Sequence, residues 1–265
     1  MRCLLFFLRD KKPRFKPQSG FTLLELLVVI TVLGLIAGAA VLGLNGVTDQ
    51  SRADATNFEM AELRKALLQF RRDSGSRNFP KQGVYNCTTI PTANFPAEAG
   101  ATNAEQIVWC QHPANFWMLF QDPLANGWNA DTKRGWNGPY IQRKSGYLDI
   151  GDDLTPDASG SPITGVPITK VWGIADPNIK PFVTEILDGD EHLAWRTTTT
   201  QAQPYEKYGR PYLLFGMDTS TATGDDRLVS MGDNGKYDGV GSEVCVPPLD
   251  PDTSEALDTV LCLLR

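Results

Sequence analysis

Three groups of residues in this 265-residue chain have the types and spacing to do chemistry. Glu25 is the one charge in an apolar run from Phe21 to Leu44, a carboxylate with no neighbour in sequence to neutralise it. Asp233, Asn234 and Asp238 place carboxylate and amide oxygens close together among glycines, with Ser230 just ahead of them. Calcium takes about six to eight such oxygens at roughly 2.3–2.6 Å, and the glycines permit the tight turns that wrap a chain around an ion. The same stretch also reads as plain hairpin turns, which Asn-Gly and Asp-Gly favour by themselves. Cys87, Cys110, Cys245 and Cys262 form an even set, with Cys3 apart near the start. The two histidines, His112 and His192, stand in no His-Glu-x-x-His, Gly-x-Ser-x-Gly or phosphate-loop context, so nothing points to a catalyst.

The element that must carry Glu25 is a helix. Residues 1–20 hold Arg2, Arg9, Lys11, Lys12, Arg14 and Lys16 against Asp10, a net +5. At 1.5 Å per residue the run from Phe21 to Leu44 makes a helix of roughly 36 Å, enough for a hydrocarbon core of about 30 Å. Basic residues on its N-terminal side place the leader in the cytoplasm and the bulk of the chain outside. A secretory signal has a shorter apolar region and a small-residue cleavage site, and a plain signal anchor has no use for Glu25. Buried alone near a membrane-helix start, that carboxylate costs several kcal/mol; at the interface it meets water, and between packed helices it needs a positive partner.

Gly20-Phe21-Thr22-Leu23-Leu24-Glu25 followed by Leu26-Leu27-Val28-Val29-Ile30 resembles the processing site and helix of type IV prepilins and type II secretion pseudopilins. The resemblance implies cleavage between Gly20 and Phe21 by a prepilin peptidase and N-methylation of Phe21. It also implies that Glu25 pairs with the N-terminus of a neighbouring subunit during assembly. The rest of the chain narrows it. Ala66-Leu67 to Phe70 with Asp73, Gly75 and Pro80, Trp136-Asn137-Gly138-Pro139-Tyr140, and Tyr208-Gly209-Arg210-Pro211-Tyr212 resemble segments of the major pseudopilins. Ser230-Met231-Gly232-Asp233-Asn234-Gly235 with Asp238-Gly239 and Gly241 resembles their calcium loop. Asn234 stands where that family has aspartate, and the chain is oversized for a typical major pseudopilin.

Beyond the apolar run, Phe58, Met60, Leu63, Leu67 and Phe70 alternate with charged residues, so the helix is expected to continue in amphipathic form to about Asp73. Asp73-Ser74-Gly75 ends it. Residues 74–135 read as a long irregular connection with one short helix near Asn103–Phe120. Strands are expected near 145–150, 167–173 and 181–187, a pair at Arg210–Gly216 and Arg227–Met231, and a strand or short helix at Ala256–Leu264. Asp188-Gly189-Asp190-Glu191 and Asp225-Asp226 read as solvated turns. The four exported cysteines suggest two disulfides. Local pairing, Cys87–Cys110 with Cys245–Cys262, is the preferred of three possible connectivities. The six tryptophans fit core and loop packing.

The expected fold is α+β: a long N-terminal helix, first membrane-embedded and then amphipathic, packed on a small antiparallel sheet. The divisions are a cleaved leader (1–20), the helix (21–73, with 21–44 in the membrane) and a periplasmic domain (74–265) with an insertion at about 142–206. With the leader removed, 19 basic residues face 30 acidic ones, a net −11 that disfavours nucleic acid. The expected role is a non-enzymatic subunit of a type II secretion pseudopilus, anchored in the bacterial inner membrane. Its expected partners are copies of itself, other pseudopilins or pilins, the prepilin peptidase and the inner-membrane assembly platform. A minor type IV pilin acting in filament initiation, adhesion or motility is the alternative. A membrane-anchored periplasmic enzyme or binding protein is a third reading, and it lacks visible catalytic groups.

Overall fold

The structure, a computed structural model, describes residues 22–142, 147–150, 168–178, 183–187, 190–195, 209–217, 225–232, 235, 237–241, 243–254 and 256–264. Side chains of residues 40–49 and of the strands at 183–187 and 190–195 lie outside the description. The chain divides into two compact units, Met1–Thr48 and Asp49–Arg265. Helix α1, Leu23–Asp73, runs through the division.

In the first unit every described residue from Thr22 to Ala39 is exposed, including Leu23, Leu27, Ile30, Leu33 and Ile36. Among the described residues no helix is long and apolar enough to cross a membrane. The segment expected in the membrane, 21–44, extends into residues whose side chains are not described.

The second unit is built on the other half of α1. Thr56, Glu59, Met60, Leu63, Ala66, Leu67, Phe70 and Asp73 are buried, a stripe at steps of three and four that defines one helix face. Phe58 was expected among the face residues, but it is 71% exposed because, two residues before Met60, it falls on the opposite side of the helix. Gly75 ends the helix at φ +70°, its amide bonded to the Arg72 carbonyl, while the Gly135 amide caps the Asp73 carbonyl. Phe70 meets Tyr85 and Tyr140 edge-on, and the Trp136 indole donates to the Met118 carbonyl. The Trp136–Tyr140 segment therefore packs on the helix exit. Its Gly138–Pro139 bond is cis.

Residues 83–119 are mostly single turns, with one α-helix, α2, at Asn103–Gln111. Thr102 and Glu105 close a reciprocal capping box at its start. It stops well short of the expected Phe120 because Pro113 pushes His112 to extended backbone (φ −54°, ψ 132°). Cys87 and Cys110 are bonded, tying α2 to the turns before it.

One small antiparallel sheet was expected, and two sheets are present among the described residues. β1 (Tyr147–Ile150), β2 (Ile168–Val171), β3 (Val183–Leu187) and β4 (Asp190–Trp195) form a sheet in the order β2-β1-β4-β3. The β1–β4 pair is parallel, with Leu148 opposite Leu193, so this sheet is mixed. It lies within the stretch read as an insertion, and β4 replaces part of the expected acidic turn. β5 (Leu213–Phe215), β6 (Arg227–Ser230) and β7 (Thr259–Cys262) form the antiparallel second sheet. Cys245 and Cys262 are bonded there. Leu148, Ile150 and Val171 share a core with Leu213, Phe215 and Val229, which joins the two sheets.

Buried polar groups tie these parts together. Asp176 accepts from the Thr56 hydroxyl on α1, from the Asn178 amide groups at 2.8 Å and from the Tyr212 hydroxyl at 3.3 Å. Asp226, expected in a solvated turn, is fully buried and accepts from the Gln82 amide at 2.6 Å. His112 is likewise buried. Lys81 is buried too; its Nζ donates to the His112 carbonyl at 2.7 Å and meets no carboxylate among the described residues.

Burial pushes the Lys81 amine down to about 7 from an ordinary 10.5. The unfolded chain then holds a proton that the folded chain releases between those values. Stability gained from this group therefore rises with pH across that window and is lost as pH falls through about 7. Lys81→Met is expected to raise the melting temperature at pH 7 by several degrees and to flatten the rise between pH 7 and 10.5. Circular dichroism melts of the full chain in detergent across that range check this.

Candidate functional site

Glu25 occupies the third position of α1, and Thr22 precedes the helix. The Thr22 backbone N–H donates to Glu25 Oε2 at 2.8 Å, its hydroxyl donates to the same oxygen at 3.0 Å, and the Glu25 amide donates back to the Thr22 hydroxyl at 3.2 Å. This reciprocal arrangement satisfies helix-start donors and turns the carboxylate back toward the incoming chain. Both donated bonds go to Oε2, and Oε1 has no hydrogen-bond partner among the described residues. Sequence reasoning placed Glu25 either at the membrane interface or against a positive charge between helices, and missed that Thr-x-x-Glu is itself a helix-start signature. Gly20 and Phe21 lie outside the described residues.

The candidate cation loop follows β6 in the second unit. Ser230 is buried at the strand end, and the Gly235 amide closes on the Met231 carbonyl at 3.0 Å. Asp233 and Asn234 lie outside the described residues. Among the described residues no group of three or more metal-binding side chains gathers. Asp238 is described and half-buried, and its backbone N–H donates to Asp258 Oδ2 at 3.0 Å.

Asp258 was missed in the sequence. It is 2% exposed, and its Oδ1 has no hydrogen-bond partner among the described residues. Burial pushes its carboxyl up to about 7, with the Asp238 charge adding to the rise and the Asp238 N–H opposing it. A signal was available: Asp258 is the lone acid in the apolar segment Ala256–Leu264, the same pattern that singled out Glu25. The described residues of this corner thus bring two acids, Asp238 and Asp258, next to each other.

The prokaryotic N-terminal methylation motif matches residues 15–41, the stretch holding Gly20, Phe21 and Glu25. Type II secretion system core protein G of Escherichia coli K12 is 30% identical over 100 residues, which are 38% of this chain and 67% of that protein. The chain belongs to the core protein G family. Core protein G of Pectobacterium carotovorum is 31% identical over 97 residues, or 35% of this chain and 62% of that protein. The Aeromonas hydrophila protein is 34% identical over 76 residues, or 29% and 53%. The chain thus spans little more than half the length of several relatives, and most of it lies outside each match. No solved structure matches it.

Replacing Thr22 with Val removes both side-chain roles in the capping box while keeping the shape. Loss of such a cap costs about 1 kcal/mol, so amide exchange at residues 25 and 26 is expected to speed up roughly fivefold. Hydrogen-exchange mass spectrometry in detergent, with exchange at Leu63–Phe70 unchanged as the internal control, checks it.

Proposed function

We propose that this core protein G family member is a non-enzymatic structural subunit of a type II secretion pseudopilus. The observation that carries the reading is the methylation motif at residues 15–41, set on a helix whose described residues from Thr22 to Ala39 expose apolar side chains throughout. Contiguous apolar surface of that extent calls for lipid or packed helices around it. On this reading residues 21–44 cross the inner membrane with the leader in the cytoplasm and the large unit in the periplasm. A prepilin peptidase cuts between Gly20 and Phe21, the new amine is methylated, and an assembly platform feeds subunits into a fibre that helps drive export.

Glu25 then sets the register between neighbours. Its Oε2 is held by Thr22, and its Oε1 can receive the Phe21 amine of an adjacent subunit. Inside a helix bundle a paired charge costs less than an unpaired one, so misaligned subunits are rejected. Apolar helix packing supplies the cohesion.

Calcium belongs to the same proposal. Asp233, Asn234, Asp238 and Ser230 supply its oxygens, and its role is to fix the loop after β6. The melting temperature of the full chain in detergent is expected to fall on chelation and recover with calcium. An unchanged melt removes the ion from this account.

A second reading, a minor type IV pilin that initiates or decorates a filament, is favoured by one observation: the matches to core protein G cover only 29–38% of this chain, so most of it lies outside them. Excess expression giving a homopolymer supports the major-subunit reading, and its absence supports the minor one. For the shared core of both, mass spectrometry is expected to find N-methylphenylalanine at Phe21. Glu25→Ala is expected to insert in the membrane yet fail to join the fibre; a mature protein starting at Met1, or normal incorporation of that variant, overturns the assignment.

A further inference from the structure

We propose that the turn at Leu249–Asp252 of one subunit seats in the groove between α1 and β7 of a second copy of this chain. The proposal rests on the fibre-subunit reading and adds to it the two surfaces by which neighbours recognise each other.

The groove holds about 380 Å³ and is lined by Arg64, Lys65, Leu68 and Arg72 on the α1 side and by Leu261 on the β7 side. Steps of three and four put these α1 residues on one side of the helix, next to the buried stripe. The floor is apolar, because Leu68 and Leu261 are half-buried and packed against the core. The rim is cationic, in a chain whose formal net charge is −6. Its internal ion pairs are weak ones: Lys65 reaches Glu62 at 3.7 Å with both side chains exposed, and Arg72 reaches the adjacent Asp73 at 3.5 Å.

The turn carries the matching chemistry in reverse. Leu249 is 57% exposed, and Asp250 and Asp252 follow it. Neither acid pairs with a cation among the described residues. The Thr253 and Asp252 amides hold the Asp250 carboxyl below its ordinary range, so it stays ionised at neutral pH. An apolar side chain followed by two acids meets an apolar floor rimmed by cations. Each surface supplies what the other lacks.

The turn is also rigid before it docks. Leu257 donates to the Pro248 carbonyl at 3.0 Å, Leu249 bridges to Ala256, and Ser254 donates to the Asp250 carbonyl at 2.8 Å. The Asp252 and Thr253 amides donate to Asp250 Oδ1 at 2.7 and 3.0 Å. Pro247, Pro248 and Pro251 fix their own φ, and the Cys245–Cys262 bond ties the segment to β7. A preordered turn loses little freedom on binding.

Groove and turn are different patches of the same subunit, so their pairing runs head to tail. Every docked copy leaves one groove and one turn to be filled by others. Such pairing continues from copy to copy, as a fibre requires.

The test replaces Leu249 with p-benzoylphenylalanine in the full chain, irradiates fibres sheared from expressing cells, and maps the links by mass spectrometry. The expected product is a covalent dimer in which position 249 is joined to a peptide within residues 61–72. Asp252→Lys is expected to cut the yield of fibres and of this dimer roughly fivefold, because like charges then face each other. Lys65→Asp with Arg72→Asp is expected to do the same. Combining all three substitutions is expected to restore both yields, which a folding defect would not do. If the Leu249 variant fails to fold, the same probe at exposed Asp252 is read instead.

A link confined to one chain, in a product of monomer mass, means that the turn fills its own groove and overturns the pairing of copies. A dimer linked outside 61–72, a link to a different protein, or fibres with no link at all overturns it too, while the fibre-subunit reading stands. Undiminished yields in the charge variants overturn the recognition argued from charge. Wild type that enters no fibre removes the fibre-subunit reading and the inference with it.

Discussion

The unit from Asp49 onward depends on one constraint: the α1 stripe from Thr56 to Asp73 must be covered. Met60, Leu63, Leu67 and Phe70 are almost fully buried and meet Phe79, Tyr85, Trp117 and Tyr212 within one cluster. At about 1.5–3 kcal/mol for each large apolar side chain removed from water, this face dominates what the irregular chain around it could gain in other ways. The turns between Gly83 and Leu119 have little regular hydrogen bonding of their own. They hold because aromatic rings press on α1 and because Cys87–Cys110 limits how far the chain can open.

Where apolar packing sets the amount of cohesion, buried carboxylates set the register. Asp176 joins Thr56 of α1 to Tyr212 next to β5, and Asp226 joins Gln82 to the start of β6. Each draws donors from segments far apart in sequence, so a shifted packing would strand a buried acid, at high cost. The Tyr212 hydroxyl is correspondingly held neutral by its burial, reinforced by the Asp176 charge.

α1 carries two kinds of surface on one continuous backbone. Its hydrogen bonds are internal, so the same geometry serves an apolar surrounding and an amphipathic one without leaving polar groups unpaired. The capping box at Thr22 and Glu25 fixes the start of this helix using side chains of the first turn alone.

Much of this was legible in the sequence because it is local. The family motif at Gly20–Glu25, the spacing of Met60, Leu63, Leu67 and Phe70, the stop at Gly75, and the β5–β6 pair all follow from contacts a few residues apart or from turn chemistry. The preferred disulfide pairing also joins cysteines near in sequence. What escaped was long-range. Nothing local announces that Asp190–Trp195 pairs in parallel with Tyr147–Ile150, or that Asp226 and Asp258 leave solvent. The sequence by itself determined a long helix with a lone acid at its start and a family to place it in. Only the tertiary structure decided which acids are buried and which strands meet, because burial depends on segments brought together by the whole chain, and no short window of residues contains both partners.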